Sequence, residues 1–125
     1  MKIQESAENY LETILILQSK KTMVRSIDIV NELGFSKPSV SIAMKNLREN
    51  GYIEMDAKGY ITLADKGREI AERMYERHTF ISQWLIEIGV DPQTAIDDAC
   101  RIEHVISAES FEAIKQFVNS SLKEN

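Results

Sequence analysis

Residues 26–63 read SIDIVNELGFSKPSVSIAMKNLRENGYIEMDAKGYITL, and this stretch decides the fold of the first half of the chain. Apolar residues recur at helical spacing over residues 26–33, and Gly34 suits the left-handed position that ends a helix. A second helix is predicted to begin at Ser36, a good N-cap, with Pro38 in its first turn, where a missing N–H costs little. The stretch therefore predicts two helices joined by a short glycine-containing turn.

Two short runs typical of β-strands follow, Tyr52–Met55 and Tyr60–Leu63, and residues 56–59 link them as a tight turn. Upstream, apolar residues at helical spacing predict another helix from about Ser6 to Lys20. Helix, helix, turn, helix and hairpin is the order of a winged helix-turn-helix. The chain is therefore predicted to be mainly α, with an N-terminal winged helix-turn-helix and a two-stranded β wing over residues 1–63.

The second half of the chain, residues 64–125, shows helical spacing throughout. It predicts a long helix from Ala64 to about Ile88, a second from about Pro92 to Ile106, and a last one capped by Ser107. These residues are expected to form a separate helical domain.

The composition is that of a soluble globular chain with an uneven distribution of charge. Of its 125 residues 43% are hydrophobic and 28% charged, and the formal net charge is −5. Residues 1–63 contain eight basic and eight acidic residues, whereas residues 64–125 contain seven and twelve. The first half can therefore present a local basic face to nucleic acid. One cysteine, no apolar run of membrane-spanning length and an acidic N-terminus predict a cytoplasmic protein without a membrane partner.

The outer side of the helix that begins at Ser36 has the chemistry of a DNA-reading face. Small hydroxyls at its N-terminal end can approach phosphates, which the helix dipole favours there, and basic residues follow. Ile42 could meet a thymine methyl, and Lys58 at the wing tip could reach a minor groove. The alternative is a solvated polar face, including that of a protein-binding winged helix that never contacts DNA. The predicted DNA-reading face comprises Ser36, Lys37, Pro38, Ser39, Ser41, Ile42, Lys45, Arg48 and Lys58.

Cys100, Glu103 and His104 lie at positions i, i+3 and i+4 of a predicted helix, so a thiol, a carboxylate and an imidazole share one face. These side chains bind divalent transition metals. The only other histidine is His78, in the long helix. Without other evidence, such residues are more often a buried cysteine and a histidine with ordinary hydrogen bonds than metal ligands. Their convergence with polar residues of the first helix would make a metal site.

The chain resembles the diphtheria toxin repressor and manganese transport regulator family of metal-dependent repressors, in its short two-domain form. The resemblance runs from about Ser6 to Ser107 and rests on AENYLETIL, GFSKPSVSIAMKNLRENGYI, LADKG, RMYERHTFISQWL, IGVD and CRIEHVIS. It implies a homodimer that binds operator DNA when loaded with a divalent metal and represses metal-homeostasis genes. Fe(II) and Mn(II) are the favoured ions. Residues 1–63 would bind DNA, and residues 64–125 would dimerise and bind metal.

The resemblance also implies a ligand set that departs from both branches of the family. Cys100 matches the iron branch, and Asn9 stands where one branch has methionine and the other aspartate. Ser82 stands where the iron-type ancillary site has glutamate, so that site is expected to be absent or altered. A thiolate suits Fe(II), Zn(II) or Co(II) better than Mn(II), and Ni(II) is a further alternative. The implied ligands are Asn9, Glu12, His78, Cys100, Glu103 and His104.

A metal held between the first helix and the second half would fix their orientation, and with it the spacing of the two DNA-reading helices of a dimer. Dimer contacts are expected from Trp84, Leu85 and Ile88. Two further alternatives stay open: a winged-helix regulator that ignores metal, and a metalloenzyme. Against an enzyme, the chain has no HExxH motif and no evident substrate motif, so no small-molecule substrate is expected.

Overall fold

The computed structural model describes residues 5–123, and residues 1–4 and 124–125 of the two predicted domains lie outside the described residues. This part of the chain is mainly α-helical with one two-stranded sheet, which confirms the predicted fold class. None of the helices in this range is both long and apolar enough for a membrane span. The elements are α1 Glu5–Lys20, α2 Ser26–Leu33, α3 Lys37–Glu49, β1 Ile53–Met55, β2 Ile61–Leu63, α4 Asp65–Glu87, α5 Pro92–Val105 and α6 Ala108–Lys123.

The chain divides into two compact units, with the division after Arg73 inside α4. The first turns of α4 belong to the first unit because Ala71 is fully buried in the same core as α1, α2, α3 and the hairpin. The predicted domain boundary at Leu63 marks the end of the wing, ten residues earlier in sequence. The two units are therefore described separately.

The start of α3 follows the local signals in its sequence. Ser36 is the N-cap, and its Oγ accepts a hydrogen bond from the Ser39 N–H at 3.2 Å. Pro38 lies in the first turn, as expected. Gly34 ends α2 at φ 73°, and its N–H donates to the Val30 carbonyl at 2.8 Å. These two caps fix the turn between the helices.

The wing is an antiparallel hairpin in which Ile53 pairs with Leu63 and Met55 with Ile61. The carboxylate of Asp56 closes its turn, since Oδ1 accepts from the backbone N–H groups of Lys58 and Tyr60, both at 2.9 Å. This places Lys58 at the exposed tip, as predicted.

The core of the first unit decides which side of α3 faces outward. Val40, Met44 and Leu47 are buried, and they pack with buried residues of α1, α2 and the hairpin. Ser41, Ile42, Lys45 and Asn46, on the other side of the helix, are exposed to solvent.

The second unit has its own core, formed by Ile81 of α4, Ala99 of α5 and Phe111 of α6. Asp91 caps α5, because its carboxylate accepts from the N–H groups of Gln93 and Thr94. Ser107 caps α6 in the same way, through a 3.0 Å hydrogen bond from the Ser110 N–H. Through this core, α5 packs one of its faces against α4 and α6.

Candidate metal centre and nucleic-acid interface

The centre of the candidate metal site is the carboxylate of Glu103, which is only 1% exposed. His78 of α4 places Nδ1 3.0 Å from Glu103 Oε2. His104, the next residue of α5, places Nε2 3.3 Å from Glu103 Oε1. Each carboxylate oxygen therefore has an imidazole partner within the second unit.

The thiol of Cys100 adds a soft donor to this group. Its Sγ lies 3.7 Å from His78 Nδ1, and the residue is exposed to solvent. The structure thus brings together the four ligands predicted in the second half of the chain. We call His78, Cys100, Glu103 and His104 the histidine–carboxylate cluster.

The donor chemistry of this cluster fits a divalent transition ion. Burying a carboxylate is costly unless a cation or hydrogen-bond donors compensate for it. Two imidazoles and a thiol around one carboxylate are also the ligand types that Fe, Co, Ni and Zn prefer. Without metal, imidazole N–H groups could donate to Glu103 through the same contacts. The geometry is therefore compatible with an ion that takes the place of those protons.

Arg77 is a residue of this site that the sequence reasoning missed. It is 7% exposed, and its Nη1 donates to the carbonyl oxygens of Glu103 at 3.0 Å and Ile106 at 2.8 Å. A basic residue directly before a predicted histidine ligand was the available signal. The direction in which the Arg77 side chain points depends on how α4 packs against the end of α5, and residue spacing alone does not predict that packing.

The remaining predicted ligands, Asn9 and Glu12, lie one turn apart on α1 in the first unit. The Asn9 carbonyl accepts a hydrogen bond from Thr13 Oγ1 at 2.8 Å, an ordinary contact within the helix. Their role as ligands stays a prediction. Ser82, one turn beyond His78, donates to the Thr79 carbonyl at 3.2 Å and so directs its hydroxyl to its own helix.

Every residue of the predicted DNA-reading face is exposed. Ile42 is 63% exposed, which leaves a large apolar side chain in water at the middle of a polar surface. The same helix borders an open cleft of about 270 Å³, lined by Ser41, Lys45 and Arg48 of α3 together with Met44 and Met55. Ser26, at the start of α2, also lines this cleft and was not among the predicted residues. Two cations and two hydroxyls around one cleft suit an anionic partner such as a DNA backbone.

Comparison with known families assigns both halves. The family model described as iron dependent repressor, N-terminal DNA binding domain, matches residues 2–61. The model described as iron dependent repressor, metal binding and dimerisation domain, matches residues 64–123. Together they cover nearly the whole chain.

Two similar proteins, both named as transcriptional regulators, agree with these matches. An uncharacterised HTH-type transcriptional regulator of Methanocaldococcus jannaschii is 31% identical over 118 residues, covering 93% of this chain and 94% of the relative. The transcriptional regulator MntR of Escherichia coli is 32% identical over 114 residues, covering 91% of this chain and 74% of MntR.

Solved structures share the fold. The manganese regulator SloR superposes with a TM-score of 0.80 at 24% identity, covering 95% of this chain and 55% of that chain. A manganese-dependent transcriptional repressor in complex with manganese gives 0.82 at 27% identity, covering 90% of this chain and 52% of that chain. This chain thus spans about half the length of those solved regulators.

Proposed function

This chain belongs to the iron-dependent repressor family of transcriptional regulators, and we propose that it represses transcription by binding operator DNA as a metal-loaded homodimer. The observation that carries the proposal is the histidine–carboxylate cluster, which lies in the half that matches the metal-binding domain. No step of this function requires catalysis.

The proposed ion is held by Glu103 and His104 of α5 and by His78 of α4, with the Cys100 thiolate as the soft donor. Glu12, and with it the side-chain amide oxygen of Asn9, completes the ligand set from the first unit. When bound, the ion supplies the positive charge that keeps buried carboxylates ionised. A solved repressor described as manganese-dependent favours Mn(II), and a family model named for iron favours Fe(II). The thiolate favours Fe(II), Co(II), Ni(II) or Zn(II).

The proposed ligands from α1 would couple metal binding to DNA binding. Glu12 and Asn9 belong to the DNA-binding half, whereas the cluster belongs to the other half. Ligands drawn from both halves make metal affinity depend on their arrangement, and DNA affinity depends on the same arrangement. The two affinities are then linked reciprocally, typically by about 1–3 kcal/mol.

The proposed DNA contacts use α3 and the wing. The N-terminal end of α3 approaches the DNA first, because the helix dipole favours phosphate there. The residues at this end are Ser36, Lys37, Pro38 and Ser39. Ser41, Lys45 and Arg48 continue along the cleft, and Ile42 contacts a base methyl rather than a phosphate. Lys58 reaches the neighbouring groove from the tip of the wing.

Large exposed apolar side chains of the second unit support the proposed dimer. Val105 and Phe117 are each 74% exposed, and Ile88 is 62% exposed. Fully burying one such side chain stabilises by about 1.5–3 kcal/mol. Trp84 and Leu85, the other predicted dimer contacts, are half-buried in the isolated chain.

The proposal is tested by DNA binding with and without metal under anaerobic conditions. DNA duplexes are first selected from a random pool by protein loaded with Mn(II) or Fe(II), and Co(II) and Zn(II) are then compared. We expect at least about tenfold tighter binding with the effective ion than with a chelator, within the usual range of allosteric coupling. The double variant Cys100→Ala, His104→Ala should lose this response. Equal binding with every ion and with chelator would instead favour a metal-independent winged-helix regulator.

Lys45→Ala should weaken DNA binding by roughly fivefold, about 1 kcal/mol, because one phosphate contact is lost. The slope of log K against log salt should fall by about 1. Fluorescence anisotropy at several salt concentrations measures both quantities. Lys115→Ala, which removes a lysine of the second unit, is the matched control. Unchanged affinity and slope in Lys45→Ala would exclude Lys45 from the interface.

A further inference from the structure

The C-terminal turn of α5 carries both cluster residues Glu103 and His104. The last carbonyls of an α-helix generally receive their hydrogen bonds from outside the helix. Arg77 of α4 supplies hydrogen-bond donors to carbonyls at this end of α5. Its Nη1 donates to the Glu103 carbonyl at 3.0 Å and to the Ile106 carbonyl at 2.8 Å. A buried guanidinium at this end also complements the negative end of the helix dipole. The end of α5 is thus capped by a side chain of another helix.

Two consecutive residues of α4 therefore hold the same residue of α5 at two points. Arg77 binds the main chain of Glu103, and His78 contacts its carboxylate at 3.0 Å. With the carbonyl fixed, the Glu103 side chain extends from an immobilised backbone. Its carboxylate then reaches the two imidazoles with little loss of rotamer freedom.

Arg77 is itself held on the core side of α4. Its guanidinium carbon lies 5.5 Å from the centre of the Phe111 ring, which is buried and packs edge-on against Phe80 at 5.7 Å. A planar fork of donors beside an aromatic ring is a role that lysine does not reproduce. The contacts of Arg77 therefore use the planar geometry of its guanidinium.

We propose that Arg77 is a positioning residue of the metal centre, which holds the end of α5 so that Glu103 and His104 meet His78 in ligating geometry. This inference rests on the proposed metal binding at the cluster. Groups that orient metal ligands typically change metal affinity by about 10–100-fold when they are replaced. Arg77 does so through the backbone of a ligand, without contacting the ion.

The test is anaerobic titration of the full chain with Co(II), without DNA, on the wild type and on Arg77→Lys. We expect Arg77→Lys to bind Co(II) about 10–100-fold more weakly and with an altered visible absorption spectrum of the bound ion. Lys115→Met is the structural control. Lys115 joins α6 to α4 through Glu76 at 2.5 Å, a contact that raises the pKa of Lys115, and its Nζ lies 6.0 Å from the centre of the Phe111 ring. Lys115→Met therefore changes the packing around the ring that Arg77 also contacts, but it keeps the Arg77 hydrogen bonds to α5. The melting temperature of each metal-free protein separates lost stability from lost positioning.

Wild-type affinity and spectrum in Arg77→Lys would overturn the proposal. So would an equal loss of affinity in Lys115→Met at a similar melting temperature. If Arg77→Lys does not fold without metal, Arg77→Gln, which can still donate to one carbonyl, is titrated as well. Refolding of either variant at the wild-type Co(II) concentration would contradict the proposal, and a requirement for at least about tenfold more Co(II) would support it. A wild type that binds no Co(II) refutes the proposed function itself.

Discussion

Glu103→Gln is expected to weaken Mn(II) or Co(II) binding by more than about 100-fold, beyond the range seen for groups that only orient ligands. Glu103 contacts both imidazoles of the cluster, through Oε2 to His78 and Oε1 to His104. Glutamine keeps the size of the side chain and removes its charge. A neutral amide is a poor ligand for an ion whose binding depends on a buried negative charge.

The same substitution should leave the metal-free fold nearly as stable as the wild type. The Glu103 carboxylate is 1% exposed, and burial of a charge costs free energy that a neutral group of the same shape avoids. A glutamine amide can accept from one imidazole and donate to the other, once the histidine tautomers adjust. Glu103→Ala would be a poorer test, because it leaves a cavity and removes these contacts from both imidazoles.

Isothermal titration of the metal-free protein measures the affinity, and circular dichroism measures the melting temperature. Glu112→Gln is the matched control, because it removes an exposed carboxylate of α6 in the same unit. Binding by Glu103→Gln within about threefold of the wild type, under 1 kcal/mol, would show that the carboxylate is not a ligand.

The sequence predicted those features of the fold that local signals determine. Ser36 with Pro38 marks the start of α3, and Gly34 marks the end of α2, because a cap acts on the backbone within one turn of itself. The i, i+3, i+4 spacing of the α5 ligands is local in the same sense. Such features could be assigned without knowledge of tertiary packing.

Features that depend on how two helices approach each other could not be assigned in this way. The sequence suggested that His78 joins Glu103, but the capping of α5 by Arg77 required the actual crossing of α4 and α5. Ser26 was missed because it reaches the α3 cleft from a different helix. Gly67 is a third case, since helical spacing gives no reason for a glycine in the first turns of α4.

Gly67→Ala is expected to destabilise the first unit by about 3 kcal/mol or more, at or beyond the upper end of typical overpacking costs. A Cβ at residue 67 would lie 2.0 Å from the Tyr52 carbonyl oxygen and 3.0 Å from its carbonyl carbon. That carbonyl cannot swing aside without losing the 3.0 Å hydrogen bond it accepts from the Ala64 N–H, where the wing ends. The strain therefore falls on backbone atoms, which move less readily than side chains.

The sign of the effect distinguishes this close approach from ordinary helix propensity. In an uncrowded helix, alanine is more favourable than glycine by about 1 kcal/mol, so Gly67→Ala would then stabilise the protein. Gly59→Ala is the control: that residue has φ 85° and open space around it, so its cost should be only the left-handed backbone penalty of about 1–2 kcal/mol. Urea unfolding of the three metal-free proteins should rank the wild type first, Gly59→Ala second and Gly67→Ala last. A Gly67→Ala protein as stable as the wild type would mean that α4 does not begin against the Tyr52 carbonyl in solution.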